Sequence, residues 1–342
     1  RLGCKPVGFR DRVNRKFSLT DQNLTNGRTP HQKIGLFLGP VLAGAMLLSD
    51  APAGLSDSGW TTAAIGVLMA VWWATEAVPI AITALLPLVV FPLLGVATIQ
   101  DTASPYANKV IYLFLGGFIV AFAMQRWNLH RRIALTVLQY AGGNGRSLVG
   151  GFMLASAVIS MWVMNTSTTM MLLPIAVSII SVIHKTVDSL DENGKQSFQY
   201  SLLLGVAYGA TIGGMATLVG TAPNAMLAAF MQESYGIEID FARWMLVGLP
   251  LSAMMLPLAW LTLTRVAFKV DFTTSPEGRA TLGRMKAEMG RITVPEKRVA
   301  IVFVLMALTW ILRPVLVKFP GLSALDDSGI AMAGAISLFL IP

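Results

Sequence analysis

Apolar residues fall along the chain in long runs separated by short polar segments. The runs cover 34–48, 61–74, 80–96, 110–124, 148–164, 170–183, 201–220, 245–263, 301–312 and 330–341. A hydrocarbon core is crossed by roughly 20 apolar residues in a helix, and several of these runs reach that length. Backbone groups in lipid find no water, so each run must satisfy its own hydrogen bonds as a helix. The pattern predicts an all-α polytopic membrane protein.

Composition agrees with this reading. Hydrophobic residues make up 54% of the chain and charged residues 13%, about half the charged share of a soluble domain, and the mean hydropathy is +0.64. So few charges cannot clothe a soluble globule of this size. The net charge of +8 is placed by topology and does not point to nucleic acid. Arg10, Arg12, Arg15 and Lys16 precede the first run, Arg126, Arg131 and Arg132 follow the fourth, and Arg265–Arg298 is the longest basic segment. The loops around 50–58, 100–107, 232–240 and 321–328 contain no Lys or Arg. That alternation predicts a multi-pass protein of the inner (plasma) membrane with a cytoplasmic N-terminus and basic edges facing anionic headgroups of the lipid bilayer.

The single cysteine, Cys4, lies in the basic tail, with no companion for a disulfide or a metal site. The N-terminus has no short apolar segment with a small-residue cleavage site. The chain begins with Arg, which suggests a fragment or a processed product. The expected organisation is a basic cytoplasmic tail over 1–32, a first transmembrane repeat over 33–270, a cytoplasmic linker over 271–298 with an amphipathic helix, and the start of a second repeat over 299–342. Leu55-Ser56-Asp57-Ser58-Gly59 before the second run is echoed by Leu325-Asp326-Asp327-Ser328-Gly329 before the last. The same shift lays the first run over 304–318, which is the basis for expecting a repeat.

Charge parity singles out 147–183. Arg146 lies on one side and His184 and Lys185 on the other, so the segment crosses twice or dips in and returns. Both readings stay open. At its middle is a polar knot, Ser160-Met161-Trp162-Val163-Met164-Asn165-Thr166-Ser167-Thr168-Thr169. A second interruption, Gly220-Thr221-Ala222-Pro223-Asn224, breaks the helix expected over 199–232. Irregular backbone at membrane depth is tolerated where it lines a cavity or is buried in protein. There, carbonyl, Ser and Asn oxygens can replace the hydration shell of a sodium ion. The N-terminus of the following half-helix offers N–H groups and a positive dipole to an anion. The bland alternative is that these hydroxyls bond back to their own helices. Glu76, between Thr75 and Ala77, is the clearest acidic residue beside a run; it has a functional reading as an intramembrane carboxylate and a structural one as a cap or hinge at a cytoplasmic helix end. No HExxH, GxSxG or phosphate-loop motif is present, so enzyme chemistry has no home.

Ser160-Met161-Trp162 leading to Met164-Asn165-Thr166, the break at 220–224, Trp73-Ala74-Thr75-Glu76-Ala77-Val78-Pro79 and Tyr112–Phe118 together resemble the divalent anion/sodium symporter family of di- and tricarboxylate carriers. The resemblance extends from about residue 33 to 342. It implies an inverted-repeat elevator transporter, a homodimer, that moves a di- or tricarboxylate, most simply a C4-dicarboxylate such as succinate, together with Na⁺. Residue by residue it implies Ser160, Asn165 and Gly220 as ligands of Na⁺. It implies Asn165, Thr166, Ser167, Thr221, Pro223 and Asn224 as the substrate-facing set, with no catalytic residue. Met164 stands where the family motif has Ser, and the family's second motif pair falls beyond Pro342. Competing readings are a Na⁺-independent carboxylate exchanger or sulfate carrier of the same fold, and a non-transporting membrane subunit or fragment.

Overall fold

The computed structural model describes residues 28–140, 143–187, 190–273 and 276–341; the basic tail and Cys4 lie outside them. The structure is all-helical, with only an isolated bridge between Asn144 and Thr273 among the described residues. Asn165–Thr186, Phe241–Ala267 and Val294–Leu316 are each long and apolar enough to cross a bilayer, as a polytopic membrane protein requires. The chain divides after Asn108 into two compact units.

In the first unit, α1 (Pro30–Leu47) lies against α2 (Asp57–Thr75). Gly35 rests on Thr75 and Gly39 on Leu68 and Trp72, so the two axes approach closely. The indole of Trp60 donates to the Met46 carbonyl at 2.8 Å and joins the helix ends. Ser56 caps α2 by accepting the Gly59 N–H. The helix stops at Glu76, which adopts the left-handed conformation at φ 51°; of its two readings, the cap is the one the backbone adopts. The outer face of α1 is apolar and bare, with Phe37 69% exposed. The run 80–96 is not one long helix. It divides into a turn, Ile80–Thr83, and α3 (Leu86–Leu93), because Pro87 lacks the N–H that would carry the first turn through.

The second unit contains α4 (Lys109–Arg126), α5 (Leu129–Gln139), α6 (Gly145–Ser160), α7 (Asn165–Thr186), α8 (Glu192–Gly214), α9 (Ala222–Tyr235), α10 (Phe241–Leu261), α11 (Pro276–Ala287), α12 (Val294–Leu316) and α13 (Asp327–Leu340). Helices α6 and α7 are joined by the short turn 161–164. Helices α8 and α9 flank the irregular segment 215–221. Helix α11 lies within 271–298. Helix α5 is an element the sequence reading did not separate from the basic cluster. It buries His130, Ala134, Leu135 and Leu138, a one-sided helical pattern, and leaves Arg131 and Arg132 half-buried.

The hairpin is seated on α8 through small residues. A Cβ on Gly205 would meet Val149 and Met153; one on Gly209 would meet the Met153 backbone, and one on Gly213 the Ala157 backbone. Thr217 continues the series by hydrogen bonding to Met161. Every step advances four residues on both chains, so α6 and α8 run parallel and in register. Ser156 adds a hydrogen bond to the Val206 carbonyl at 2.7 Å. Around this seam, Leu135, Leu148, Phe152, Leu172, Ile179 and Phe198 fill the core.

The two ends of this unit differ in charge. At the basic end, Arg132 grips Glu296 through two hydrogen bonds of 3.1 Å and also donates to the Gly290 carbonyl. Lys286 of α11 donates to Gln139 of α5. Arg146 donates to the Val270 carbonyl, and the Gly145 N–H to that of Phe272, strapping the base of the hairpin. At the other end, Arg313 sits among Glu238, Asp240 and Asp327.

Two outcomes test this architecture. Gly213→Leu is expected to prevent stable folding, because its Cβ alone would lie 2.2 Å from the Ala157 carbonyl oxygen, whereas Gly66→Ala meets nothing within 4 Å and should leave the melting temperature of the detergent-purified protein nearly unchanged. Equal melting temperatures for the two variants would contradict the seam. His130, outside the membrane-spanning segments, is held below its ordinary pKa of 6.5 by burial, opposed by its bond to the Met124 carbonyl and aided by Arg131. The folded state therefore binds fewer protons than the unfolded one. Stability is full above about pH 6.5 and falls as pH drops through the folded value. Replacing His130 by Gln should flatten that decline in a melting series from pH 5 to 7.5; an unchanged slope would assign it elsewhere.

Candidate substrate and cation site

The turn of the hairpin and the break between α8 and α9 meet at one place. Helix α6 ends at Ser160, whose buried hydroxyl donates to the Asn165 side-chain oxygen at 2.6 Å and lies 3.4 Å from the Val163 carbonyl. Asn165 opens α7, and its carboxamide rests against Gly214: a Cβ there would lie 2.4 Å from the Asn165 Oδ1. Gly220 in turn rests on the Gly214 carbonyl. Ser160, Asn165, Gly214 and Gly220 therefore form a continuous chain of contacts. All three residues implied as cation ligands belong to it.

The break is internally braced. The buried Asn224 carboxamide donates to the Gly214 carbonyl at 2.9 Å and to the Thr217 carbonyl at 2.8 Å. Gly214 is the last residue of α8 and Asn224 lies in the first turn of α9, so one side chain joins the two halves of the broken helix. Trp244 donates to the Met215 carbonyl and Ser252 to that of Ile212, fixing α10 against the end of α8. Behind the turn, Trp162 stacks on Phe241 at 5.9 Å and Phe241 on Trp310 at 4.7 Å. Asp327 accepts the Phe241 N–H at 2.8 Å.

Two helix N-termini open here without a side-chain cap. The cap of α7 is Met164, whose side chain accepts nothing, and that of α9 is Thr221, extended and making no cap bond. Thr166 is exposed and Ser167 half-buried in the first turn of α7; Thr221 is half-buried and Pro223 exposed at the start of α9. Among the described residues, the hydroxyls of Thr166, Ser167 and Thr221 make no hydrogen bond with the protein. Asn224, by contrast, spends its amide N–H groups inside the break. From residue 147 to 183 and from 196 to 232 there is no Asp, Glu, Lys or Arg. Among the described residues no group of three or more His, Cys, Asp or Glu side chains is arranged to hold a metal ion. The turn thus offers a cation uncharged oxygens, and an anion N–H groups, hydroxyls and helix dipoles.

A family model described as the sodium:sulfate symporter transmembrane region matches residues 31–342. The chain belongs to that family. Among similar proteins are the sodium-dependent dicarboxylate transporters SdcS of Staphylococcus aureus strains USA300 and COL, each 42% identical over 313 residues, covering 91% of this chain and 60% of the relative. The chain therefore spans about three-fifths of the length of these relatives. In this symporter-family chain, Thr217 is the site-building residue that sequence reading passed over, while Gly213-Gly214 reads in the sequence as a break in the run. The signal for Thr217 was present: glycine at 205, 209 and 213 with threonine at 217 is a small-residue ladder of helix-packing period.

Removing the Asn224 carboxamide strands two buried carbonyls. Asn224→Ala is expected to destabilise the protein by about 1–3 kcal/mol, read as a lower melting temperature in detergent. Thr166→Ala, at an exposed hydroxyl, should leave melting within about 0.5 kcal/mol of the parent. A silent Asn224→Ala would show that the break is held by other contacts.

Proposed function

We propose that this chain is part of a secondary active transporter that carries a dicarboxylate anion across the inner membrane together with Na⁺. The observation that carries the reading is an anion-attracting pair of uncapped helix N-termini beside a cation-suited set of oxygens, with no charged side chain at the turn or the break. Each helix N-terminus is equivalent to roughly half a positive charge. Two of them leave about one unit of a dianion's charge uncompensated at these elements. In a low-dielectric site an uncompensated charge is expensive, and a co-bound cation supplies what is missing. Transport of the anion is then tied to Na⁺ by electrostatics alone. The names of the related proteins, sodium-dependent dicarboxylate transporters, support the same assignment.

In this reading Ser160 and Asn165 and the Gly220 carbonyl hold Na⁺. Asn165, Thr166, Ser167, Thr221 and Pro223 face the substrate, and Asn224 keeps the break open from behind. Helix α6, at 16 residues, is about 24 Å long. That length falls short of a ~30 Å core, whereas α7, at 22 residues, is long enough to cross; the reading adopted is a re-entrant hairpin entered from the cytoplasmic side. The unit carrying the hairpin and broken helix moves as an elevator, and the protein is an inverted-repeat homodimer embedded in lipid with a cytoplasmic N-terminus. Helix caps support the repeat: Asp326 accepts the Gly329 N–H at the start of α13 as Ser56 accepts that of Gly59 at the start of α2.

Sulfate is the second reading for the anion, favoured by the family's description and by Met164, which leaves the turn one hydroxyl poorer than the dicarboxylate motif. Radiolabelled succinate uptake into proteoliposomes containing the complete gene product tests both. Uptake is expected only with an inward Na⁺ gradient and at less than a tenth of that rate in Asn165→Ala, since loss of a charge-assisted ligand costs about tenfold or more. Sulfate uptake without succinate uptake would reassign the anion. Succinate counterflow without Na⁺ would establish an exchanger.

A further inference from the structure

Among the described residues, Thr217 is the one hydroxyl that ties the hairpin turn to the helix break. It lies in the break itself, beyond the end of α8 at Gly214, and its bonding differs from that of threonines within the helices. Thr136, Thr211, Thr262, Thr264 and Thr309 each donate to the carbonyl four residues back in their own helix. Thr217 instead donates across 56 residues of sequence to the Met161 carbonyl, in the turn immediately after Ser160. The same oxygen accepts the Gly220 N–H at 3.1 Å. Its own carbonyl accepts from Asn224. The side chain is fully buried, so no water can replace these partners.

We infer that Thr217 is a positioning residue that sets the Na⁺ affinity of the site by holding the hairpin turn against the break. The inference rests on the symport reading above. The hydroxyl fixes two backbone pieces at once: the start of the turn that leads to Asn165, and the peptide that precedes Gly220. These pieces come from segments joined only through α7 and α8, and each carries part of the proposed cation ligand set. A site of uncharged oxygens depends on their spacing, and tolerances of about 0.5 Å decide whether ligands act together. Thr217 acts here through its two backbone partners, donating to Met161 and accepting from Gly220, and is not among the residues assigned to the ligand set.

The test uses the complete gene product with Cys4 and any further native cysteine replaced by Ser. Thr217→Val keeps the shape and removes both hydrogen bonds; Thr217→Ser keeps both and removes only a methyl group. The Na⁺ concentration for half-maximal succinate uptake should rise about tenfold or more in Thr217→Val, the scale expected for losing two buried hydrogen bonds, and stay within about twofold of the parent in Thr217→Ser. The succinate KM at saturating Na⁺ should change less than the Na⁺ requirement. Labelling reports on the tether without transport: a cysteine at Val163, buried in the turn, should react slowly with a maleimide in the parent and in Thr217→Ser, and several-fold faster in Thr217→Val. Equal labelling in all three, or equal Na⁺ shifts in the Val and Ser variants, would overturn the inference. Faster labelling of Thr217→Val in a parent that takes up succinate without Na⁺ would retain the tether but overturn its proposed role in Na⁺ affinity, along with the symport reading.

Discussion

The parallel seam between α6 and α8 sets the position of everything else in the site. Gly205, Gly209 and Gly213 bring the two backbones close enough that a Cβ on Gly209 or Gly213 would overlap the neighbouring main chain. Because the contacts advance four residues at a time on both helices, the register cannot drift. The turn after Ser160 must arrive at the depth where α8 ends at Gly214. The site is thus built by ending two parallel helices together, and only then furnished with Asn165, Gly220 and the two uncapped N-termini. Without a hydrophobic driving force between helices in lipid, close van der Waals contact between small residues is what holds such a seam.

That geometry explains how the break is tolerated inside the protein. Its freed carbonyls are not left to lipid: those of Gly214 and Thr217 accept from Asn224, and that of Met215 from Trp244. The N–H groups at the starts of α7 and α9 are the ones without side-chain partners. The result is an asymmetric site, satisfied behind and open in front. Farther out, the Trp162–Phe241–Trp310 stack connects the turn to Asp327 and Arg313, while Arg132 and Glu296 fasten the opposite end.

Much of this was legible in the sequence, for specific reasons. The polar knot at 160–169 and the Gly-Thr-x-Pro-Asn break stand out because polar and helix-breaking residues are rare in apolar runs. Ser56 and Asp326 announce helix starts by their cap chemistry. Other features were hidden. Helix α5 is 11 residues long and sits among arginines that are read first as topology signals. The division of the run 80–96 turns on Pro87, which hydropathy does not register. The direction of the Asn224 side chain is a rotamer choice, and a motif cannot reveal that its amide faces into the break. Thr217 looked like one more threonine in an apolar helix; its role depends on a partner 56 residues away. Spacing within one helix is visible in sequence, but the register between two helices is not.

The central claim is that an uncharged site takes up a dianion only when a cation joins it. Thermal melting of the detergent-purified complete protein tests this without transport, comparing succinate in NaCl with succinate in choline chloride at equal ionic strength. The account predicts that Na⁺ alone raises the melting temperature and that succinate raises it further only when Na⁺ is present. An equal succinate shift in choline chloride would mean that the protein compensates the anion by itself, and would contradict the account.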